Sequence, residues 1–73
     1  MKLIPVHSSG VRAVGYEEER KVLYVQFVDG DVYEYYDVPV SDVVELIQAH
    51  SIGRFVNKRI KPYYDYLKLK AAS

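Results

Sequence analysis

Residues 22–36 read VLYVQFVDGDVYEYY, and this stretch decides the fold. Two runs of alternating apolar and polar residues flank a turn at Asp29-Gly30, a pattern that predicts a β-hairpin. Leu23, Val25 and Phe27 share one side of the first strand because successive side chains in a strand point to opposite faces. The sequence therefore predicts that these three residues face the core.

The length of the turn determines which residues of the second strand join them. A two-residue turn would place the Glu34 carboxylate opposite Val25 on the apolar face, which is costly without a partner. A three-residue loop over 28–30, with Gly30 in the left-handed conformation, places Tyr33 opposite Val25 instead. The apolar pattern therefore favours the three-residue loop.

This register divides the tyrosines between the two faces of the sheet. It places Tyr33 and Tyr35 in the core and turns Tyr24, Glu34 and Tyr36 together to the opposite face. The sequence therefore predicts that Tyr33 and Tyr35 are structural and that Tyr24 and Tyr36 are available to a ligand.

A further strand is predicted before the hairpin. It covers residues 11–16, but its inward face is ambiguous because Val11, Val14 and Tyr16 do not share one parity. The charged residues 17–21 predict a loop between this strand and the next.

Two helices are predicted after the hairpin. Ser41 is a suitable N-cap for the first and Ser51 for the second. The predicted buried stripes are Val43, Leu46 and Ile47 in the first helix, and Ile52, Phe55 and Val56 in the second. Pro62 disfavours helical geometry at Lys61 and ends the second helix.

The tail over 63–69 alternates only weakly, which is typical of either a short edge strand or an extended arm packed on the sheet. The predicted fold class is α+β, with an antiparallel three-stranded meander followed by two helices packed on one sheet face. Residues 1–73 are predicted to form a single domain.

Composition restricts the class of protein further. The 73 residues are 49% hydrophobic and 27% charged, as in an ordinary globular domain. The chain has no cysteine, which excludes disulfides and thiolate metal sites and is compatible with a reducing compartment. The first residues are too short an apolar run for a signal peptide, and no run approaches the roughly 18 apolar residues of a membrane span. We therefore expect a cytoplasmic protein without membrane contact.

Charge is segregated along the chain although the net charge is zero. Residues 1–45 hold nine acids and four bases, whereas residues 46–73 hold six bases and one acid, Asp65. Helical spacing predicts that Arg54, Lys58 and Lys61 share one exposed face. This face can contact phosphates, or it can be a solvated surface attracted to the acidic half.

The chain resembles the KTSC domain, which occurs at the C-terminus of some lysyl-tRNA synthetases and as free-standing small proteins. The resemblance rests on a central Tyr-x-Tyr at Tyr33-Glu34-Tyr35 and covers about residues 8–66. It also includes Ser8-Ser9, Gly15-Tyr16, the turn at Gly30, Val38-Pro39 and the pattern Ser51-x-Gly53-Arg54-Phe55-x-Asn57-x-x-Ile60. It implies an RNA-binding role, and it carries no aminoacylation activity because the chain lacks a synthetase catalytic domain.

Catalytic and metal-binding motifs are not recognisable in this sequence. His7 and His50 are the only imidazoles, and neither stands in a catalytic motif. Their separation, with scattered carboxylates between them, matches no metal-ligand spacing. We therefore predict no enzyme activity, no metal and no cofactor.

Two surfaces are predicted to bind a ligand. Tyr24 and Tyr36 can stack bases if the outer sheet face is open, although a helix or the tail often covers such a face. The basic helix offers a second surface, with Arg59 alongside and Asn57 as a polar contact; its residues are Arg54, Asn57, Lys58, Arg59 and Lys61.

The function expected from the sequence is a non-enzymatic binding module. RNA is the leading ligand, as tRNA or as a single strand, in weak and salt-dependent binding. The alternative is a protein-interaction module that uses Tyr24, Tyr36 or the segment Tyr63-Tyr64-Asp65-Tyr66. The sequence does not identify a partner or an oligomeric state.

Overall fold

A computed structural model of the chain describes residues 2–69. Five antiparallel strands form one sheet in the order in which they occur along the chain. The strands are β1 (Ile4–Pro5), β2 (Val11–Glu17), β3 (Val22–Phe27), β4 (Val32–Tyr35) and β5 (Tyr66–Leu69). Two helices, α1 (Val40–Ile47) and α2 (Ile52–Phe55), lie between β4 and β5. The predicted α+β class is confirmed, and the sheet contains the three predicted strands, an edge strand formed by the tail, which was one of its two predicted forms, and one further strand, β1. Met1 and residues 70–73 of the predicted single domain lie outside the described residues.

The two additional strands occupy the two edges of the sheet. At one edge β1 pairs with β2, ahead of the first strand that the sequence predicts. At the other edge β5 pairs with β4, with Tyr66 opposite Tyr35 and Lys68 opposite Tyr33. The tail is therefore an edge strand and not a separate arm.

The register of the central hairpin is the predicted one. Leu23 lies opposite Tyr35 and Val25 lies opposite Tyr33. Gly30 has a φ of 98°, a left-handed conformation that residues with a Cβ rarely adopt. The Gly30 N–H donates to the Phe27 carbonyl at 2.9 Å and closes the loop. The three-residue loop, which was predicted because the two-residue turn would bury Glu34, is thus confirmed.

A β-bulge resolves the ambiguous inward face of β2. The pairing with β3 shifts between Val11 and Ala13, so one extra residue is inserted there. Val11 then lies opposite Phe27 and Val14 opposite Val25, although their spacing in the chain is odd. Val11 and Val14 are both buried in the core as a result.

The first helix differs from its prediction at both ends. Pro39, and not Ser41, is its N-cap, because the Asp42 and Val43 N–H groups donate to the Pro39 carbonyl. Leu46 is fully buried, but Ile47 is 58% exposed, which contradicts its predicted place in the core. Ile47 instead lies on the same helix face as the exposed Val40 and Val44, at the i, i+4 and i+7 positions.

The second helix begins as predicted and then widens. Ser51 Oγ accepts a hydrogen bond from the Arg54 N–H at 3.2 Å. After the single α-helical turn of α2, residues Val56–Ile60 form a π-helical segment. The Lys61 N–H accordingly donates to the carbonyl of Val56, five residues earlier, at 2.8 Å.

The helices pack on the predicted face of the sheet, which is called the inner face below. Their buried residues meet the core side of the strands in one cluster, which contains Val11, Val14, Leu23, Val25, Tyr35, Val38, Leu46, Val56 and Ile60. The Tyr16 hydroxyl donates to the Val38 carbonyl at 2.6 Å and fixes the segment after β4 to the sheet. None of the helices within residues 2–69 has the length and apolar character that a membrane crossing requires.

Candidate nucleic-acid interface

The basic part of the chain forms a shallow groove of about 500 Å³ beside α2. The groove, called the basic groove below, is lined by Ala49, His50, Ser51, Arg54, Phe55, Lys58 and Arg59. Phe55 is half-buried and packs against the core, and the Arg59 guanidinium lies 5.2 Å from the centre of its ring. The N-cap at Ser51 fixes where α2 begins, and Arg54 and Lys58 line the same groove as this ring.

The cations of the basic groove differ in their partners. Arg59 lies 3.4 Å from the Glu45 carboxylate in an exposed ion pair. Arg54 and Lys58 are exposed and form no ion pair with any group in residues 2–69. Arg59 is therefore paired with an acid from residues 1–45 of the chain, whereas Arg54 and Lys58 are not.

Lys61 does not join this surface, which corrects the predicted face of Arg54, Lys58 and Lys61. The π-helical segment inserts one residue into the turn before Lys61 and so changes its direction. The Lys61 ammonium instead lies 4.8 Å from the centre of the Phe27 ring, on the inner face of the sheet. Asn57 is exposed but does not line the basic groove.

Tyr24 points to the outer face, as predicted, but is not available for base stacking. Only 4% of its surface is exposed. Gly15 lies opposite Tyr24 on that face, and a Cβ on Gly15 would collide with the Lys2 carbonyl oxygen. The N-terminal segment thus lies directly over this part of the outer face. Burial and the nearby carboxylates of Glu17 and Glu34 raise the pKa of Tyr24.

Tyr36 is partly exposed on the same face but is held by an acid. Its hydroxyl donates to the Glu34 carboxylate at 2.8 Å. This hydrogen bond is the main reason why the pKa of Tyr36 is raised. A phosphate approaching Tyr36 would meet the negative charge of Glu34, so the outer face is a poor surface for nucleic acid.

Sequence reasoning missed a second groove, of about 540 Å³, on the inner face. It is called the tyrosine groove below and is lined by Gly10, Phe27, Val28, Asp29, Tyr33, Tyr35, Lys61 and Tyr66. Tyr35 is fully buried, as predicted, whereas Tyr33 is only half-buried and forms part of the groove wall. The groove depends on the pairing of Tyr66 with Tyr35. It could therefore have been predicted only by assigning the tail as an edge strand rather than as an extended arm.

The described residues include no metal centre. Within residues 2–69 no three His, Cys, Asp or Glu side chains lie close enough together to hold a metal ion. His7 and His50 are both exposed, and of the two only His50 lines a groove described above. What the two grooves offer chemically is cations and aromatic rings, which bind anions and flat apolar groups.

Comparison with known proteins identifies the class to which this fold belongs. Residues 7–64 match the KTSC domain family. The chain belongs to this family, as its resemblance in sequence predicts. The crystal structure of a KTSC domain protein from Yersinia pestis superposes with a TM-score of 0.88 at 31% identity, over 94% of this chain and 97% of that one.

Relatives occur both as whole proteins and within larger ones. A protein from Stutzerimonas stutzeri is 39% identical over 70 residues, which cover 94% of this chain and 99% of the relative. A protein from Tsukamurella paurometabola is 42% identical over 65 residues, or 89% of this chain and 97% of the relative. The lysine–tRNA ligase of a Nostoc species is 34% identical over 67 residues, which cover 92% of this chain but only 12% of the enzyme.

Proposed function

We propose that this KTSC domain is a non-enzymatic module that binds RNA through the basic groove. The observation that carries the proposal is the placement of Arg54 and Lys58, which are exposed and form no ion pair within residues 2–69. Cations that are not neutralised by the protein attract phosphates, and the half-buried Phe55 ring in the same groove adds an aromatic surface for a base or ribose. Arg59 adds a third cation at the edge of the groove.

The relatives support an RNA ligand in particular. A segment similar to almost the whole chain forms part of lysine–tRNA ligases, whose name gives tRNA as a substrate. A module that holds RNA loosely would be useful beside such an enzyme and does not require catalytic groups of its own. The aminoacylation activity itself is not transferred, since the segment is 12% of the ligase.

The proposal is tested by titrating the isotope-labelled protein with total tRNA and with single-stranded oligonucleotides at two or more salt concentrations. About three phosphates contacted on a single strand predict a slope of log affinity against log salt of roughly −2, at about 0.7 per phosphate. We expect the shifted amides to centre on α2 and the π-helical segment.

A pair of double variants separates a specific surface from net charge. R54E with K58E should abolish binding without unfolding the domain, because both side chains are exposed. R20E with K21E changes the net charge equally, at two exposed positions that line neither groove, and should weaken binding only slightly. Equal binding by the parent and by R54E with K58E would refute the proposal.

A second candidate function is protein binding, which the apolar face of α1 favours. Val40, Val44 and Ile47 are 51%, 42% and 58% exposed and form one stripe along the helix. Tyr63 and Tyr66 of the tail are also exposed and supply further apolar surface for such a contact. If no RNA produces salt-sensitive shifts, protein binding becomes the leading function.

A further inference from the structure

The tyrosine groove is a cluster of aromatic rings that the helices leave uncovered at one end of the inner face. Tyr33 is at its centre, with ring centroids 5.3 Å from Phe27, 6.2 Å from Tyr35 and 5.5 Å from Tyr66. Tyr66 lies on the edge strand and is 59% exposed. A large aromatic side chain at such an exposed position offers a surface on which a flat molecule can stack.

The charges around the groove indicate what kind of flat molecule fits. Lys68 lies opposite Tyr33, but its ammonium is engaged 3.1 Å from the Asp31 carboxylate. The other acid at this end, Asp29, accepts a hydrogen bond from the Asp31 N–H at 3.0 Å within the turn. The Lys61 ammonium, by contrast, forms no ion pair with any group in residues 2–69.

One cation that forms no ion pair, beside several rings, is suited to a ligand that combines one anionic group with one planar ring. Two lysines and two aspartates leave this end of the sheet without net charge, so it has no general attraction for a polyanion. A duplex, whose bases are already stacked on one another, could not present a ring to Tyr66. An uncharged peptide rich in proline could pack on the rings but would gain nothing from Lys61.

We propose that the tyrosine groove binds a single unpaired nucleotide. Its base stacks on the Tyr66 and Tyr33 rings, and its phosphate contacts the Lys61 ammonium. The inference rests on the proposed function, because it assigns to the same RNA a second contact at a different place on the domain. It also gives Lys61, which the π-helical segment removes from the basic groove, a role of its own.

The groove is tested with small probes whose binding is read on the rings that line it. The labelled protein is titrated with AMP, adenosine and inorganic phosphate. AMP should shift the side-chain signals of Phe27, Tyr33 and Tyr66 and bind several-fold more tightly than adenosine, while phosphate alone should leave the ring signals unchanged. Absence of ring shifts with millimolar AMP would overturn the proposal, and so would equal shifts with AMP and with inorganic phosphate.

Two variants separate the base from the phosphate. Y66L should weaken both AMP and adenosine about tenfold, the order of loss expected when one base-stacking ring is removed. Lys61→Gln should reduce the affinity for AMP to that for adenosine and leave adenosine unchanged, a pattern that a merely structural role would not produce. Because Tyr66 and Lys61 are exposed, both variants should fold, which the amide spectrum checks.

The proposed function and this inference can fail separately. R54E with K58E should lose tRNA binding and keep AMP binding, since neither residue lines the tyrosine groove. If tRNA shifts the basic groove but AMP leaves the rings unshifted, only the inference fails. If AMP binds as expected but RNA does not require Arg54 and Lys58, only the proposed function of the basic groove fails. Ring shifts with a proline-rich peptide but not with AMP would assign the groove to a protein partner and overturn the inference.

Discussion

Two groups of tyrosines, one on each face of the sheet, have opposite surroundings. On the outer face Tyr24 is buried and Tyr36 donates its hydroxyl to Glu34. On the inner face, which carries the helices, Tyr33 and Tyr66 form the wall of a groove with Lys61 at its edge. The face that the helices cover thus contains the accessible aromatic cluster, and the face that they leave has its central tyrosine buried. The exposure of these tyrosines is thus not set by which face the helices occupy. It depends on how far the N-terminal segment and the helices extend over each face.

The largest expected effect separates the two outer tyrosines. Tyr24→Ala should lower the free energy of unfolding by about 3 kcal/mol, because it removes a large buried side chain. Tyr36→Ala should cost about 1 kcal/mol or less, since its ring is partly exposed and its hydrogen bond lies near the surface. Urea denaturation followed by circular dichroism measures both values. Small and equal losses would mean that the outer face is open and would remove the contrast between the two faces.

The next effect concerns alkaline stability and the most deeply buried ring of the inner face. Burial, with Tyr33 and Tyr66 alongside, raises the pKa of Tyr35 from 10.0 to about 12. Above pH 10 the unfolded chain therefore loses this proton while the folded protein keeps it. Stability from this group is fully present below pH 10 and is lost as the pH rises towards 12, by a loss on the order of 2 kcal/mol.

Tyr35→Phe is the variant that measures this loss. Its unfolding free energy should fall less steeply above pH 10 than that of the parent, while the difference between the two proteins stays constant below that pH. The hydrogen bond to Asp42 is the main reason why the pKa of Tyr64 is also raised to about 12, so Tyr64→Phe should remove a further part of the slope. If the unfolding free energies of the parent and of Tyr35→Phe fall in parallel with pH above pH 10, Tyr35 is not the buried group of the inner face.

The smallest effect tests why Tyr24 is covered. Gly15→Ala would make a Cβ collide with the Lys2 carbonyl oxygen, so the N-terminal segment must shift on the outer face. We expect a loss of about 1–2 kcal/mol, together with greater exposure of the Tyr24 ring to a soluble paramagnetic probe. Gly10→Ala is the matched control, since nothing lies within 4 Å of its added Cβ, and it should change stability by no more than about 0.5 kcal/mol. Equal behaviour of the two variants would mean that the segment does not cover Tyr24.

The candidate sites could be predicted only where local patterns determine them. Ser51 caps α2 and Arg54 and Lys58 line one groove because helical spacing over a few residues fixes these positions. Lys61 could not be placed in this way, because it follows the π-helical segment Val56–Ile60, which departs from α-helical spacing. Tyr24 could not be recognised as buried, because the segment that covers it contacts Gly15 from a distant part of the sequence.

The sequence by itself determined the central hairpin, its register and the α+β class. An alternating strand can turn either of its two faces to the core. The register that would bury Glu34 is excluded because burying an unpaired carboxylate is costly. Tertiary structure alone decided the edges of the sheet and, with them, the surfaces. β1 pairs with β2, β5 pairs with β4, and Lys2 closely approaches Gly15, so each of these contacts joins separate segments of the chain. The bulge between Val11 and Ala13 likewise depends on the pairing of two strands. Such contacts leave little trace in local periodicity, because a two-residue strand or a four-residue edge strand is too short to show a period of its own.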